Sequence, residues 1–415
     1  MLALVSLLTV LSYAATPASN YKVIYSFKGA PGAAYPGSLT FDAEGNLYGT
    51  GGGGAYNNGA VFELKPTTDG LAETVLYSFT GDSGDTGPST GVVLDNAGNL
   101  YGLSDGYAFY SFPAYVFKLA RNEHGGWTKS VLYTFDNSVQ TYALQTQNNL
   151  VFDSQGNLFG VLPSQFEGGL AFELMPRAKG DWKETTLHTF NGKPDGVFPI
   201  SAVLDQSGSV WGMTMAGGTK RCMFFEEPAF GCGIVYELTP DSAGKWAETV
   251  VYEFTRGGGR SVSPSDGFLL ESGSRLLGTT LEGGDGLGAV FELTRSQGIW
   301  EQHVLYRFLG YPDGQWPVGQ IEMNSAGALF GVTYYGGNKN VGILFELDHS
   351  KIEDWEERIL HSFAGGNDGS YPNTGVLSDS HGHLYGTTSG GGAGTACGSF
   401  GCGTVYEVTP GDVEH

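Results

Sequence analysis

FDAEGNLYGTGGGG, residues 41–54, poses the question that the rest of the chain answers. A strand-like run meets an Asp42-x-x-Gly45 turn, passes through Asn46-Leu47-Tyr48-Gly49-Thr50 and ends in four glycines. A glycine loop that cradles phosphate needs a helix behind it, whose first N–H groups hold the anion. No helical period follows Gly54. The next apolar run, Gly59-Ala60-Val61-Phe62-Glu63-Leu64, has strand character. The glycines therefore join two short strands. Loops crowded near an axis need close backbone approach and positive φ, which Gly permits. Direct contact of these backbones with a ligand is the alternative.

The stretch recurs. Its core returns at Asn99-Leu100-Tyr101-Gly102, Asn157-Leu158-Phe159-Gly160, Ser209-Val210-Trp211-Gly212, Arg275-Leu276-Leu277-Gly278, Ala328-Leu329-Phe330-Gly331 and His383-Leu384-Tyr385-Gly386. A Tyr/His-x-Phe element starts at Tyr25, Tyr77, Tyr133, His188, Tyr252, Tyr306 and His361. Val61-Phe62-Glu63-Leu64 has counterparts starting at Val116, Ala171, Val235, Val290, Leu344 and Val405. A period of roughly 55 residues with several short strands per unit indicates a propeller or a β-solenoid, and solenoids usually repeat over shorter coils. The Asp-x-x-Gly turn of the first a–b hairpin recurs at Asp95, Asp153, Asp205 and Asp379. The predicted fold is all-β: a seven-bladed β-propeller with four strands per blade. The first unpaired element, Lys22–Phe27, is of the d type and the last, Thr404–Val408, of the c type. Their pairing closes the ring and removes a sheet edge.

These motifs, with Asp-Gly-x-x-Pro and the Gly-Gly loops, resemble the GloVer tandem-repeat family of secreted bacterial proteins over about residues 22–410. The resemblance implies export and a repeat fold. It carries no assigned activity and transfers no catalytic residue.

Residues 1–20 read as a signal peptide, 21–410 as the propeller and 411–415 as a tail. The N-terminal apolar run has the length of a signal-peptide core and is too short to span a bilayer. No other segment is long and apolar enough to do so. Export, to the outside of the cell or the periplasm, makes disulfides the natural reading of Cys222/Cys232 and Cys397/Cys402. Free thiols and a metal site are the alternatives, and neither pair has C-x-x-C spacing. Gly is 67 of 415 residues, aromatics are 13% and charged residues only 15%, which suits a turn-rich β protein. The formal net charge of −22 repels phosphate backbones and excludes nucleic acid as an expected partner.

Candidate sites fall on the d–a and b–c loops, which share one face of a propeller. Asp195, Asp313 and Asp368 precede Phe198-Pro199, Trp316-Pro317 and Tyr371-Pro372, with Tyr35-Pro36 a partial copy. They read as turns with aromatic wedges between blades. They also read as a ring of carboxylates and aromatics that holds a metal such as calcium or stacks on sugars. The insertion 219–232 brings Lys220, Arg221, Glu226 and Glu227 near Arg256 and Arg260. This is either a stapled, self-neutralising loop or an acid/base pair with an anion clamp. Tyr107, Phe109 and Tyr110 belong to an aromatic loop in blade 2 that either buries its own rings or stacks on a ligand. Trp127, Trp182, Trp246, Trp300 and Trp355, each just before a d strand, read as packing, as do His188 and His361. His381 and His383 lie at an a–b turn on the opposite face and do not by themselves make a metal site.

The expected function is a secreted, monomeric binding module for glycans or cell-surface material. The alternatives are a carbohydrate-active hydrolase or lyase and a protein-interaction scaffold. No cofactor is implied.

Overall fold

All blades but the fifth are registered by an Asp or Asn side chain at their first turn. Asp42 Oδ1 accepts the N–H groups of Glu44 and Asn46 at 3.0 and 2.8 Å. Its Oδ2 accepts the Asn46 amide at 2.7 Å and the Tyr48 hydroxyl at 3.1 Å. Asp95 repeats the pattern with Asn99 and Tyr101. The loop is thereby satisfied internally, and strands a and b leave it in one register. In blade 6 Asn324 takes the Asp place and accepts Ala326 and Ala328 N–H.

The computed structural model describes residues 20–68, 70–104, 112–136, 150–164, 168–178, 180–220, 222, 231–255, 261–283, 287–349 and 355–411. It is a seven-bladed β-propeller. Blade 1 has strands a (Leu39–Phe41), b (Leu47–Gly53), c (Ala60–Thr67) and d (Gly70–Ser78). Ala33–Ala34 forms a second piece of its strand a, as Gly196–Pro199 does in blade 4. Blade 7 is closed by the chain's two ends. Strands a (Leu377–Ser378), b (Leu384–Thr388) and c (Thr404–Thr409) come from the end of the chain, and d (Asn20–Ser26) from its beginning. The register runs from Asn20 opposite Thr409 to Ser26 opposite Thr404. The expected closure is therefore present. Among the described residues no helix is long and apolar enough to cross a membrane.

Two repeated contacts explain the motifs. The Phe of each Tyr/His-x-Phe packs on the c-strand aromatic of the next blade: Phe27 on Phe62, Phe79 on Phe117, Phe135 on Phe172, Phe190 on Tyr236, Phe254 on Phe291, Phe308 on Phe345 and Phe363 on Tyr406. Their centroids are 4.9–5.4 Å apart, the range of favourable aromatic pairs. The Gly of Asn-Leu-Tyr-Gly lies under that c-strand ring. A Cβ at Gly49 would meet Phe62 Cζ at 2.6 Å. At the mouth, the residue before strand c is Gly59, at φ 105°, where a Cβ would meet Pro88 of the next blade at 2.8 Å. Within the opening stretch itself, a Cβ at Gly51 or Gly53 would come within 2.5 Å of the Ala34 or Gly32 carbonyl oxygen, so these glycines serve close approach. The tryptophans pack across junctions too: Trp182 meets Tyr101, Trp246 meets Phe159 and Trp300 meets Trp211.

Candidate functional site

Among the described residues, the d–a loops of blades 1, 4, 5, 6 and 7 enter their blade through a latch. Tyr35, Phe198, Ser263, Trp316 and Tyr371, each followed by Pro, have φ between 49° and 57°. Non-Gly residues rarely adopt that left-handed region, and such strain persists where surrounding contacts over-determine it. Here the contact is a hydrogen bond to the preceding blade. The N–H of Tyr35 donates to Cys402 O at 2.8 Å, that of Trp316 to Leu287 O at 2.9 Å and that of Tyr371 to Val341 O at 2.7 Å.

Three latch rings join into one arc across blades 6, 7 and 1. Trp316 meets Tyr335 edge-on at 5.3 Å, and Tyr335 meets Tyr334 at 4.9 Å and Tyr371 at 5.8 Å. Tyr371 lies nearly parallel to Phe400 at 5.7 Å, and Phe400 meets Tyr35 at 6.1 Å. Tyr35, Trp316 and Phe400 remain 36%, 40% and 43% exposed, so the arc offers free faces to solvent. Phe400 sits inside the short loop closed by the Cys397–Cys402 disulfide, and the second disulfide, Cys222–Cys232, closes the blade 4 loop.

Trp316 and Tyr371 are thus brought together, with Tyr35. Tyr334, Tyr335 and Phe400 join them without having been singled out. The carboxylates beside them behave differently. Asp195 accepts Asn191 and Gly196 N–H at 2.9 and 2.8 Å and faces His188 Nε2 at 3.1 Å. Asp313 does the same with Leu309, Gly314 and Tyr306, and Asp368 with Ala364 and His361. Each carboxylate closes its own loop and binds the d-strand Tyr or His seven residues earlier. They are distributed over three junctions, one each, where a shared ring was one of the expectations. Lys220 is exposed, and its N–H donates to Glu253 Oε1 at 2.8 Å. Tyr107, Phe109, Tyr110, Arg221, Glu226, Glu227, Arg256 and Arg260 lie outside the described residues.

The junctions carry a second residue that sequence reading missed. Four positions before each d-strand Tyr or His, the next blade contributes Glu73, Lys129, Glu184, Glu248, Gln302, Glu357 or Tyr21. Lys129 pairs with Asp85. Glu73 accepts the Tyr25 hydroxyl at 2.8 Å. Between blades 5 and 6, burial and the Asp313 charge push Glu357 up to about 8. Burial also holds Asp313 above the usual carboxylate range, against the N–H groups of Leu309 and Gly314. On the opposite face, grooves of about 650 and 810 Å³ open between blades 2 and 3 and between blades 6 and 7. Their walls include repeat residues already engaged in turns and packing, such as Asp95, Tyr101, Trp182 and Asp379.

The model of the Gloeobacter/Verrucomicrobia repeat matches residues 9–225 and 221–414. The chain belongs to this repeat family. The resemblance carried by the Asn-Leu-Tyr-Gly motifs is therefore shown. No curated protein matches the sequence. Similar solved structures include the PQQ-bound aldose sugar dehydrogenase of Streptomyces coelicolor, 12% identical, covering 95% of this chain and 100% of that one at a TM-score of 0.45. A putative oxidoreductase (glucose dehydrogenase) of Thermus thermophilus is 13% identical, with 94% and 100% covered and a TM-score of 0.44. A protein of unknown function from Dyadobacter fermentans is 11% identical, with 94% and 96% covered and a TM-score of 0.44. Likenesses this distant carry no chemistry over to this chain.

Proposed function

We propose that this propeller is an exported binding module that recognises glycans on its d–a and b–c loop face, through the aromatic arc of blades 6, 7 and 1. The arc is the observation that carries the reading. Six rings in continuous contact, three of them more than a third exposed, exceed what blade packing uses elsewhere. The C–H faces of a sugar stack on such rings, and tyrosine hydroxyls hydrogen-bond its rim. The strained Trp316 and Tyr371 backbones hold their rings in place before any ligand arrives, which limits the ordering cost of binding. Two disulfides agree with an oxidising compartment. A glycan-array screen of the protein, followed by product analysis on each hit, tests the reading. Binding without turnover supports it. New reducing or unsaturated ends on a hit would make the protein an enzyme, and a blank array would count against glycan recognition.

A further inference from the structure

We propose that the junction between blades 3 and 4 binds one divalent transition-metal cation through His188, Asp195 and Glu248. The site is separate from the aromatic arc. One donor atom from each of the three lies within 4.8 Å of the others. His188 Nε2 is 3.1 Å from Asp195 Oδ2 and 3.8 Å from Glu248 Oε2. On a tetrahedral ion with bonds of about 2.0–2.2 Å the donors lie about 3.4 Å apart, so small side-chain adjustments bring all three onto one ion. Asp195 is fixed by Asn191 and Gly196 N–H, and the His188 ring is held edge-on against Phe190. These contacts orient the ligands as an outer shell does.

Two independent observations point to a cation. Glu248 Oε1 is buried and has no hydrogen-bond partner among the described residues. An unpaired buried carboxylate oxygen is costly unless something positive or proton-bearing meets it. The repeat itself supplies the second. At the junction of blades 1 and 2 the residue equivalent to Glu248 is Lys129, whose ammonium binds Asp85 and the Tyr115 hydroxyl and lies 4.6 Å from the Tyr115 ring centroid. The same place in the fold is thus filled by a positive charge when the chain provides one. Among the seven junctions, His occurs at 188 and 361, and only His188 faces a Glu from the next blade; His361 is stacked by Tyr21 instead.

The donor set, one imidazole nitrogen and two carboxylates, suits zinc or manganese better than calcium, which takes 6–8 oxygens. The other His-rich group, Asp379 with His381 and His383, is accounted for by its turn. There His383 stands in the place of Asn46 and binds Asp379 as Asn46 binds Asp42.

The test is calorimetric titration of the chelator-stripped full chain with zinc chloride and with manganese chloride. The expected result is saturable binding of one ion, weakened at least tenfold by Glu248→Gln and by His188→Tyr, and unchanged by the double change His381→Ala with His383→Ala. Tyr is the repeat's usual residue at position 188, so that variant should fold. Glu248→Lys supplies the ammonium that Lys129 supplies elsewhere. Its melting temperature should not respond to chelator, whereas that of the parent should fall. The proposal is overturned if the parent shows no saturable binding of either ion, if both single variants bind like the parent, or if binding is lost only with His381 and His383.

Discussion

Glu73 occupies, where the ring closes, the place that Asp195 occupies between blades 3 and 4. Its Oε1 accepts the Ala33 N–H at 2.7 Å, as Asp195 Oδ1 accepts that of Gly196 at 2.8 Å. The closing loop has Gly32 where three of the others carry Asp195, Asp313 and Asp368, and a Cβ there would come within 3.1 Å of Glu73 Oε2. The closing junction has moved its carboxylate from the loop to the neighbouring strand and kept the hydrogen bond.

This relocation predicts a rescue. Glu73→Ala should destabilise the protein by about 1–3 kcal/mol, because the Ala33 N–H and Tyr25 hydroxyl lose their acceptor. Gly32→Asp alone should also destabilise, by placing two carboxylates together. The double variant should be more stable than the sum of the single effects by about 1–2 kcal/mol in denaturant unfolding. Additive losses would mean that the two carboxylates are not equivalent.

The blade 5–blade 6 junction predicts a pH slope. Glu357 titrates near 4.5 when unfolded and is pushed up to about 8 in the fold, by burial first and then by Asp313. The folded state therefore binds more protons between those values, and stability falls as pH rises from about 4.5 to 8. Asp313, also raised, acts in the same direction, and Tyr306 is the third titratable group in the junction. Glu357→Gln should flatten this slope and raise stability at pH 8 by about 1–3 kcal/mol. Melting curves from pH 5 to 9 with an unaltered slope would contradict it.

The Cys397–Cys402 staple should matter more to binding than to folding. It closes a very short loop, so its effect on the unfolded chain is small, whereas it fixes Phe400 beside Tyr371. Replacing both cysteines by Ser should weaken glycan binding about tenfold and shift melting by only a few degrees. A large melting loss with unchanged affinity would show that the staple serves the ring instead.

The frame of the molecule was legible because each repeated residue has one local task. Gly49 makes room for Phe62, Asp42 ties its own turn, and Phe27 caps the next blade's sheet. The junctions were not legible, because Glu248 and Glu357 alternate along d strands like ordinary solvent-facing residues. Their partners lie in the preceding blade and meet them only once the ring closes. For the same reason Asp195, Asp313 and Asp368 read first as turns and only in the alternative as a ligand ring. Half of the arc could be read: Trp316 and Tyr371 were singled out and Tyr35 was seen as a partial copy. Tyr334-Tyr335 stood in the sequence as a departure, two rings ahead of Gly336-Gly337 where blade 1 has only glycines. Phe400 was hidden by the disulfide loop that carries it.

The most direct test of the account is the affinity of the best array glycan for the parent and for Trp316→Gly and Tyr371→Gly, measured by calorimetry beside melting temperature. Gly tolerates the left-handed backbone at both positions, so the substitutions remove a ring without adding strain. The account predicts that each variant binds at least about tenfold more weakly, a loss of roughly 1.4 kcal/mol, and remains folded. Parent-like affinity in both variants would contradict it.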